Sequence, residues 1–227
     1  MNSPVAFYQS TIGKKIIMAV TGVIGIGFLI AHVAGNLQAF VGPEKLNAYS
    51  AMLHGPLNEV LWVLRIVLIV SVILHVMMAW QLTQRAHAAR PIGYHDRKPQ
   101  VSTLASRTMR WGGVLILVFI VFHILHFTLE AITPGGAAGL VDNHGNRDVY
   151  ANIVASFRVW WVSLFYIVTM VFIGLHLYHG SWSSLRTLGY AKPSLHPMQR
   201  KIALVIAVVV WIGFTLVPVG VIAGIIR

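Results

Sequence analysis

The sequence predicts an all-α integral membrane protein of five transmembrane helices, the first four forming a bundle. Three observations predict it. Of 227 residues, 57% are hydrophobic and only 10% charged, and the mean hydropathy is +0.74, outside the range of ordinary soluble domains. Five apolar runs are each long enough to cross a hydrocarbon core of about 30 Å. The basic residues gather in the short segments between those runs, which is the pattern of membrane topology.

The net charge of +11 therefore reads as topology and not as a nucleic-acid surface. No Pro/Ser-rich linker divides the chain, so residues 1–227 form one domain. The absence of cysteine excludes disulfides, thiolate ligation of haem, iron–sulfur clusters held by this chain and thioether attachment of haem.

Lys14 and Lys15 precede the first apolar run, 16–41. It is too long for the hydrophobic region of a signal peptide and is read as the first helix. Gly22, Gly25, Gly35 and Asn36 fall broadly on the face that carries His32. A polar connection, GPEKLNAYSAMLHGP, leads to the second helix, 57–84, with Glu59 near its start and Arg65 and His75 inside it. The segment Arg85 to Arg110 adds Arg90, Arg97, Lys98 and Arg107, opposed only by Asp96. The third helix, 109–132, carries His123, His126 and, near its end, Glu130. TPGGAAGLVDNHGNRD then reads as an exposed loop. The fourth helix, 153–185, carries His176 and His179; Arg186, Lys192, Arg200 and Lys201 mark a short loop before the fifth helix, 202–226.

Two basic residues before the first helix, six after the second and four after the fourth place 12 of the 17 Lys and Arg on one side. The positive-inside rule makes that side cytoplasmic, with the C-terminus outside. Little chain remains for an extramembrane catalytic domain, so partners would supply any aqueous chemistry.

His32, His75, His123 and His176 occur once in each of the first four helices. An ionisable residue in the bilayer interior is costly and its default reading is functional. Each lies about nine residues before its helix ends. Because successive helices run in opposite directions, His32 and His123 fall at one level toward the outside, and His75 and His176 at another toward the cytoplasm. The levels lie roughly 13 Å apart at 1.5 Å rise per residue. Two pairs of neutral imidazoles are the usual axial ligands of b-type haem in a helical bundle. A lone transmembrane histidine can instead be a hydrogen-bonded core residue or part of a proton path; four at matched depths in four helices favour ligation. Gly22, Gly25, Gly112 and Gly113 lie near the inner level, where a flat porphyrin needs thin neighbours. His126 and His179 compete with His123 and His176 from three residues away, about 60 degrees around the helix. His54, His87, His95, His144 and His196 lie in loops and read as solvated.

The stretches IGKKIIMAVTG, FLIAHVAGNL, GPEKLNAY, ILHVMMAWQL, SRTMRWGG, FIVFHILHF and HLYHGSWSSL, with the downstream Gln199, Arg200 and Lys201, closely resemble the cytochrome b subunit of the five-helix, dihaem (b558) succinate:quinone oxidoreductases. The resemblance spans nearly the whole chain. It implies a membrane anchor for an FAD-containing flavoprotein and an iron–sulfur subunit on the cytoplasmic face of a bacterial inner membrane. It implies two haem b groups, the distal held by His32 and His123 and the proximal by His75 and His176, with His176 preferred over His179. It also implies electron exchange with a membrane quinone, usually menaquinone. His126 and His179 are each expected either to bond a haem propionate or to face the polar membrane boundary, the second being preferred for His126.

A quinone site must lie near a haem and contain a protonatable group. Glu59 at the outer start of the second helix is the leading candidate, Glu130 the runner-up, and Arg65 a candidate partner of a distal-haem propionate. Each also has a plain reading, a carboxylate solvated at a helix end and an arginine neutralised by it. Two other function classes fit the bare pattern: the dihaem anchor of a different respiratory dehydrogenase, and a haem-free proton-coupled transporter whose histidines relay protons.

Overall fold

The computed structural model describes residues 4–90, 92, 102–136, 138–190 and 192–227. Five of its helices are long and apolar enough to cross a membrane. Among the described residues the only β pairing is an isolated bridge between Val141 and Arg147. The chain is thus an all-α, multi-pass membrane protein. Asp96, Arg97 and Lys98 of the basic segment and the loop histidine His95 lie outside the described residues.

A short helix, α1 (Pro4–Gln9), leads to the first span, α2 (Thr11–Asn36), which a 3-10 turn continues over Leu37–Phe40. This span begins ahead of the predicted Ile16 because Ser10 caps it. The Ser10 hydroxyl accepts a hydrogen bond from the Gly13 amide at 2.8 Å, satisfying a donor with no partner inside the helix. The connection read as polar loop is largely a helix, α3 (Pro43–His54). Pro43 stands at its start and Glu44 in its first turn, where a fixed φ and a negative charge both favour a helix N-terminus.

The second span is α4 (Asn58–Ala88) and the third α5 (Leu104–His123), which runs on into a π-helical turn, Ile124–Thr128. The predicted end at 132 overshoots. Glu130 adopts a left-handed backbone, φ 50°, and such a residue terminates a helix. The carbonyls left open there are taken by Arg147, which donates to Phe127 O at 2.6 Å and Thr128 O at 3.4 Å.

The predicted fourth helix is two. α6 (Val149–Arg158) and α7 (Trp160–Thr187) meet at Val159, whose backbone is extended. The Ser163 hydroxyl donates to Phe157 O at 2.6 Å and so satisfies a carbonyl that the break releases. Asp148 caps α6, accepting from the Ala151 amide and from Asn47 Nδ2, both at 2.9 Å. Asn47 Oδ1 accepts in turn from the Tyr150 amide at 3.1 Å, which ties α3 to α6. The last span, α8 (His196–Ile222), starts ahead of the predicted Ile202, with proline in its first turn.

Close packing joins α2 to α4, α5 to α7, α2 to α7, and α8 to both α7 and α2. α7 is the hub, burying Val162, Tyr166, Met170, Ile173 and Leu177. At the α2–α8 crossing a Cβ on Gly213 would lie 2.5 Å from Val33 Cγ1, so only glycine allows that approach. α2 and α5, like α4 and α7, are not among the closely packed pairs; they face each other across the bundle.

Side-chain contacts gather the basic residues at one end. Lys14 donates to Gln81, Arg85 to Gln9 O at 2.7 Å, and Arg110 to His87 Nε2 at 3.1 Å. Arg186 and Arg200 both lie over the Trp182 ring at 5.1 Å. His87 and His196 thus sit in helices and not loops, as do Arg200 and Lys201. Five of the exposed tryptophans lie toward the ends of the spans, Trp80 and Trp111 at the basic end and Trp62, Trp160 and Trp161 at the other, while Trp211 lies midway along α8. The placement of the five is that of an aromatic belt at each membrane boundary.

Candidate cofactor site

The helices that face each other across the bundle are the ones whose histidines meet. His32 on α2 and His123 on α5 have ring centroids 5.8 Å apart, and His75 on α4 and His176 on α7 are 6.1 Å apart. Two metal–nitrogen bonds of about 2 Å place the centroids of two imidazoles sharing one metal ion roughly 6 Å apart. Both pairs have that spacing, in the combination expected from topology.

Hydrogen bonds show which ring nitrogens are available. His75 Nδ1 lies 3.0 Å from Met18 O. A carbonyl only accepts, so Nδ1 carries the proton and Nε2 presents its lone pair. This is the tautomer of a metal-ligating histidine whose other nitrogen is oriented by a backbone carbonyl. Thr21 Oγ1 is 3.3 Å from the same nitrogen and donates to Ile17 O at 2.8 Å. His176 and His179 have buried Nδ1 atoms with no hydrogen-bond partner among the described residues, so neither ring is accounted for there as a hydrogen-bonded core residue. Of these two, His176 faces His75 while His179 packs edge-on to Trp182.

His32 is held by apolar contacts, stacked on Phe28 at 5.1 Å and against Phe214 at 5.5 Å. Its ring makes no hydrogen bond among the described residues. His123 Nδ1 is 3.3 Å from the Tyr166 hydroxyl. His126 corrects the expectation of a boundary residue, for it is fully buried. Both its ring nitrogens are occupied, Nδ1 by Tyr166 Oη at 3.0 Å and Nε2 by Ser156 Oγ at 2.8 Å. Both nitrogens being bonded, His126 differs from His123, whose only hydrogen bond among the described residues is at Nδ1.

The two levels are spaced consistently on two helices. Gly22 abuts His75, a Cβ there lying 3.4 Å from its Cε1, and His32 follows ten residues later on α2. Tyr166 abuts His123, and His176 follows ten residues later on α7. Ten residues rise about 15 Å, slightly more than the expected separation. Gly22 is thus the thin neighbour of the His75–His176 pair. Gly112 instead faces Phe172, and Gly25 and Gly113 face open space.

At the end away from the basic cluster, Glu59 is exposed in the first turn of α4. Arg65 is not its partner: it donates to His54 Nε2 at 3.3 Å and lies over Trp62 at 5.1 Å. His54 is therefore the last residue of α3, holding Arg65, and not a loop histidine.

Glu130 forms the only ion pair among the described residues, 2.5 Å from Arg147. It also accepts from the Gly139 amide at 3.1 Å and Asn152 Nδ2 at 3.0 Å. Burial pushes its carboxyl up, but the Gly139 amide, the Arg147 guanidinium and Asn152 together hold it below its ordinary value. A carboxylate so committed is a loop clamp and a poor proton acceptor. Sequence reasoning missed Tyr166, Ser156, Asn152 and Arg147; apart from the Ser156–Asn152 bond within one helix, their partners in the site are 17 to 43 residues away.

No protein family, curated protein or solved structure matches this chain.

Proposed function

We propose that this chain is the dihaem cytochrome b subunit of a bacterial succinate:quinone oxidoreductase, passing electrons between an iron–sulfur subunit and membrane quinone. The observation that carries the proposal is the double histidine pairing across the bundle, at 5.8 and 6.1 Å between ring centroids. The motif resemblance adds the enzyme class.

His32 and His123 would hold the distal haem b, and His75 and His176 the proximal one. When bound, each haem supplies a one-electron carrier. The chain's own contribution is orientation: Met18 O keeps the proton of His75 on Nδ1, and apolar packing fixes His32. The basic end faces the cytoplasm on this reading, where it docks the iron–sulfur subunit beneath the FAD-containing flavoprotein. At the opposite end menaquinone exchanges electrons and protons. With Glu130 clamped by Arg147, Glu59, an exposed carboxylate at this end, takes up the quinone-linked proton. The free N–H groups of Arg65 remain available to a haem propionate.

The test is purification of the tagged chain from its native membrane. Two haem b per chain by pyridine haemochrome, together with covalent flavin in a co-purifying subunit, is the expected result. Haem without flavin would indicate the anchor of a different respiratory dehydrogenase. A haem-free chain that couples protons to solute uptake would replace the proposal with a transporter.

A further inference from the structure

One set of buried polar groups is not used by the function proposed above. It is a single file of hydrogen bonds running from the surface clamp to His123. Its polarity can be deduced end to end. Glu130, paired with Arg147, is a carboxylate and only accepts, so the group it receives at 3.0 Å is the amide nitrogen of Asn152. That fixes the Asn152 amide, whose Oδ1 accepts from the Ser156 hydroxyl at 3.0 Å. Ser156 has thus spent its proton, and at 2.8 Å its oxygen accepts from His126 Nε2–H. The neutral His126 ring then has an acceptor at Nδ1, which takes the Tyr166 hydroxyl proton at 3.0 Å. The Tyr166 oxygen accepts in turn from His123 Nδ1–H at 3.3 Å. What is left on His123 is the Nε2 lone pair.

We infer that the chain Glu130–Asn152–Ser156–His126–Tyr166 fixes His123 in its Nδ1–H tautomer, presents Nε2 to the distal haem iron and makes that imidazole a stronger donor. The inference rests on the proposed haem ligation and adds to it a positioning device, with Tyr166 as the residue acting directly on His123. Three features support it. Ser156 and His126 are fully buried and Tyr166 nearly so, in surroundings where hydrogen-bonded groups polarise one another and an unpaired one is costly. The π-helical turn Ile124–Thr128 follows His123 and contains His126; such turns recur at functional sites because they re-aim side chains. The helix break at Val159 separates the two contributors, with Asn152 and Ser156 on α6 and Tyr166 on α7.

A partner on the second nitrogen raises the basicity of a ligating imidazole and so favours ferric over ferrous iron. Tyr166→Phe removes it while keeping the ring that packs against Phe119 and Phe157. The net worth of one hydrogen bond is at most about tenfold in an equilibrium, and only its difference between the two oxidation states moves a potential, so ~59 mV for one electron is the upper bound. The expected result is two haems per chain, a distal potential raised by up to that amount and an unchanged proximal potential. Ser156→Ala, which removes a hydroxyl that hydrogen-bonds His126 and Asn152 and not His123 or Tyr166, should shift the distal potential in the same direction by less. It also serves if Tyr166→Phe fails to assemble. In reduced, 15N-histidine-labelled protein, the His123 Nδ1 signal should remain that of a protonated nitrogen in wild type and change in Tyr166→Phe. Unchanged distal potentials in both variants, or a wild-type His123 with no proton on Nδ1, would overturn the inference. A wild-type protein without haem would overturn the proposed function instead, while the nitrogen spectrum still decides the tautomer.

Discussion

Replacing Arg147 by alanine should loosen the end of the molecule opposite the basic cluster. The side chain makes an ion pair with Glu130 at 2.5 Å and donates to Phe127 O at 2.6 Å, holding both the end of the third span and the loop beyond it. Hydrogen bonds to charged groups are worth about 1.5–3 kcal/mol each. Arg147 is 32% exposed and Glu130 18%, so solvent screening reduces the ion-pair part, and a total near 3 kcal/mol is expected. For chains of this length about 2–4 °C of melting temperature accompany each kcal/mol, giving a loss of roughly 6–12 °C in detergent. The control is Lys45→Ala, an exposed residue, which should stay within about 0.5 kcal/mol of wild type. The sign of the pH dependence follows from the lowered Glu130 carboxyl. Its stabilisation is complete above the unfolded carboxyl value of about 4.3 and is lost as pH falls through the lower folded value. The gap between Arg147→Ala and wild type should therefore be full at pH 7 and narrow under acid. A gap that is absent at pH 7, or that stays the same through the acid range, would refute the clamp.

Other substitutions separate the remaining roles. Glu59→Gln should keep both haems and dye-linked succinate or fumarate turnover but lose quinone-linked turnover; normal quinone-linked turnover would remove Glu59 from the mechanism. Gly213→Leu forces side-chain atoms into Val33 and should cost about 1–3 kcal/mol, read as a lowered melting temperature. His179→Ala should retain both haems, since its ring lies against Trp182 and not against His75; loss of the proximal haem in that variant would reassign the ligand.

The spans were legible because hydropathy and length are local properties, and the histidine pairing was legible because alternation of direction fixes depth. The Ser10 cap and the Pro43 helix start were also written locally, as a hydroxyl three residues before Gly13 and a proline ahead of Glu44. The break at Val159 was not. It lies inside an apolar run, and the bond that satisfies the carbonyl it frees, from the Ser163 hydroxyl to Phe157 O, involves residues that are unremarkable on any helix. The left-handed Glu130 was equally hidden, because the Arg147, Asn152 and Gly139 groups that hold it come from 9 to 22 residues along the chain. His126 read as a boundary residue for the same reason: its partners Tyr166 and Ser156 are 40 and 30 residues distant, and only the folded bundle brings them to it.

The most direct measurement of the central claim is the reduced-minus-oxidised spectrum, with haem counted per chain, of the four single variants His32→Ala, His75→Ala, His123→Ala and His176→Ala. Each should retain one of the two haems. His32→Ala and His123→Ala should lose the same component, and His75→Ala and His176→Ala the other. Variants that pair in any other combination, or that all keep two six-coordinate haems, would contradict the assignment of these histidines.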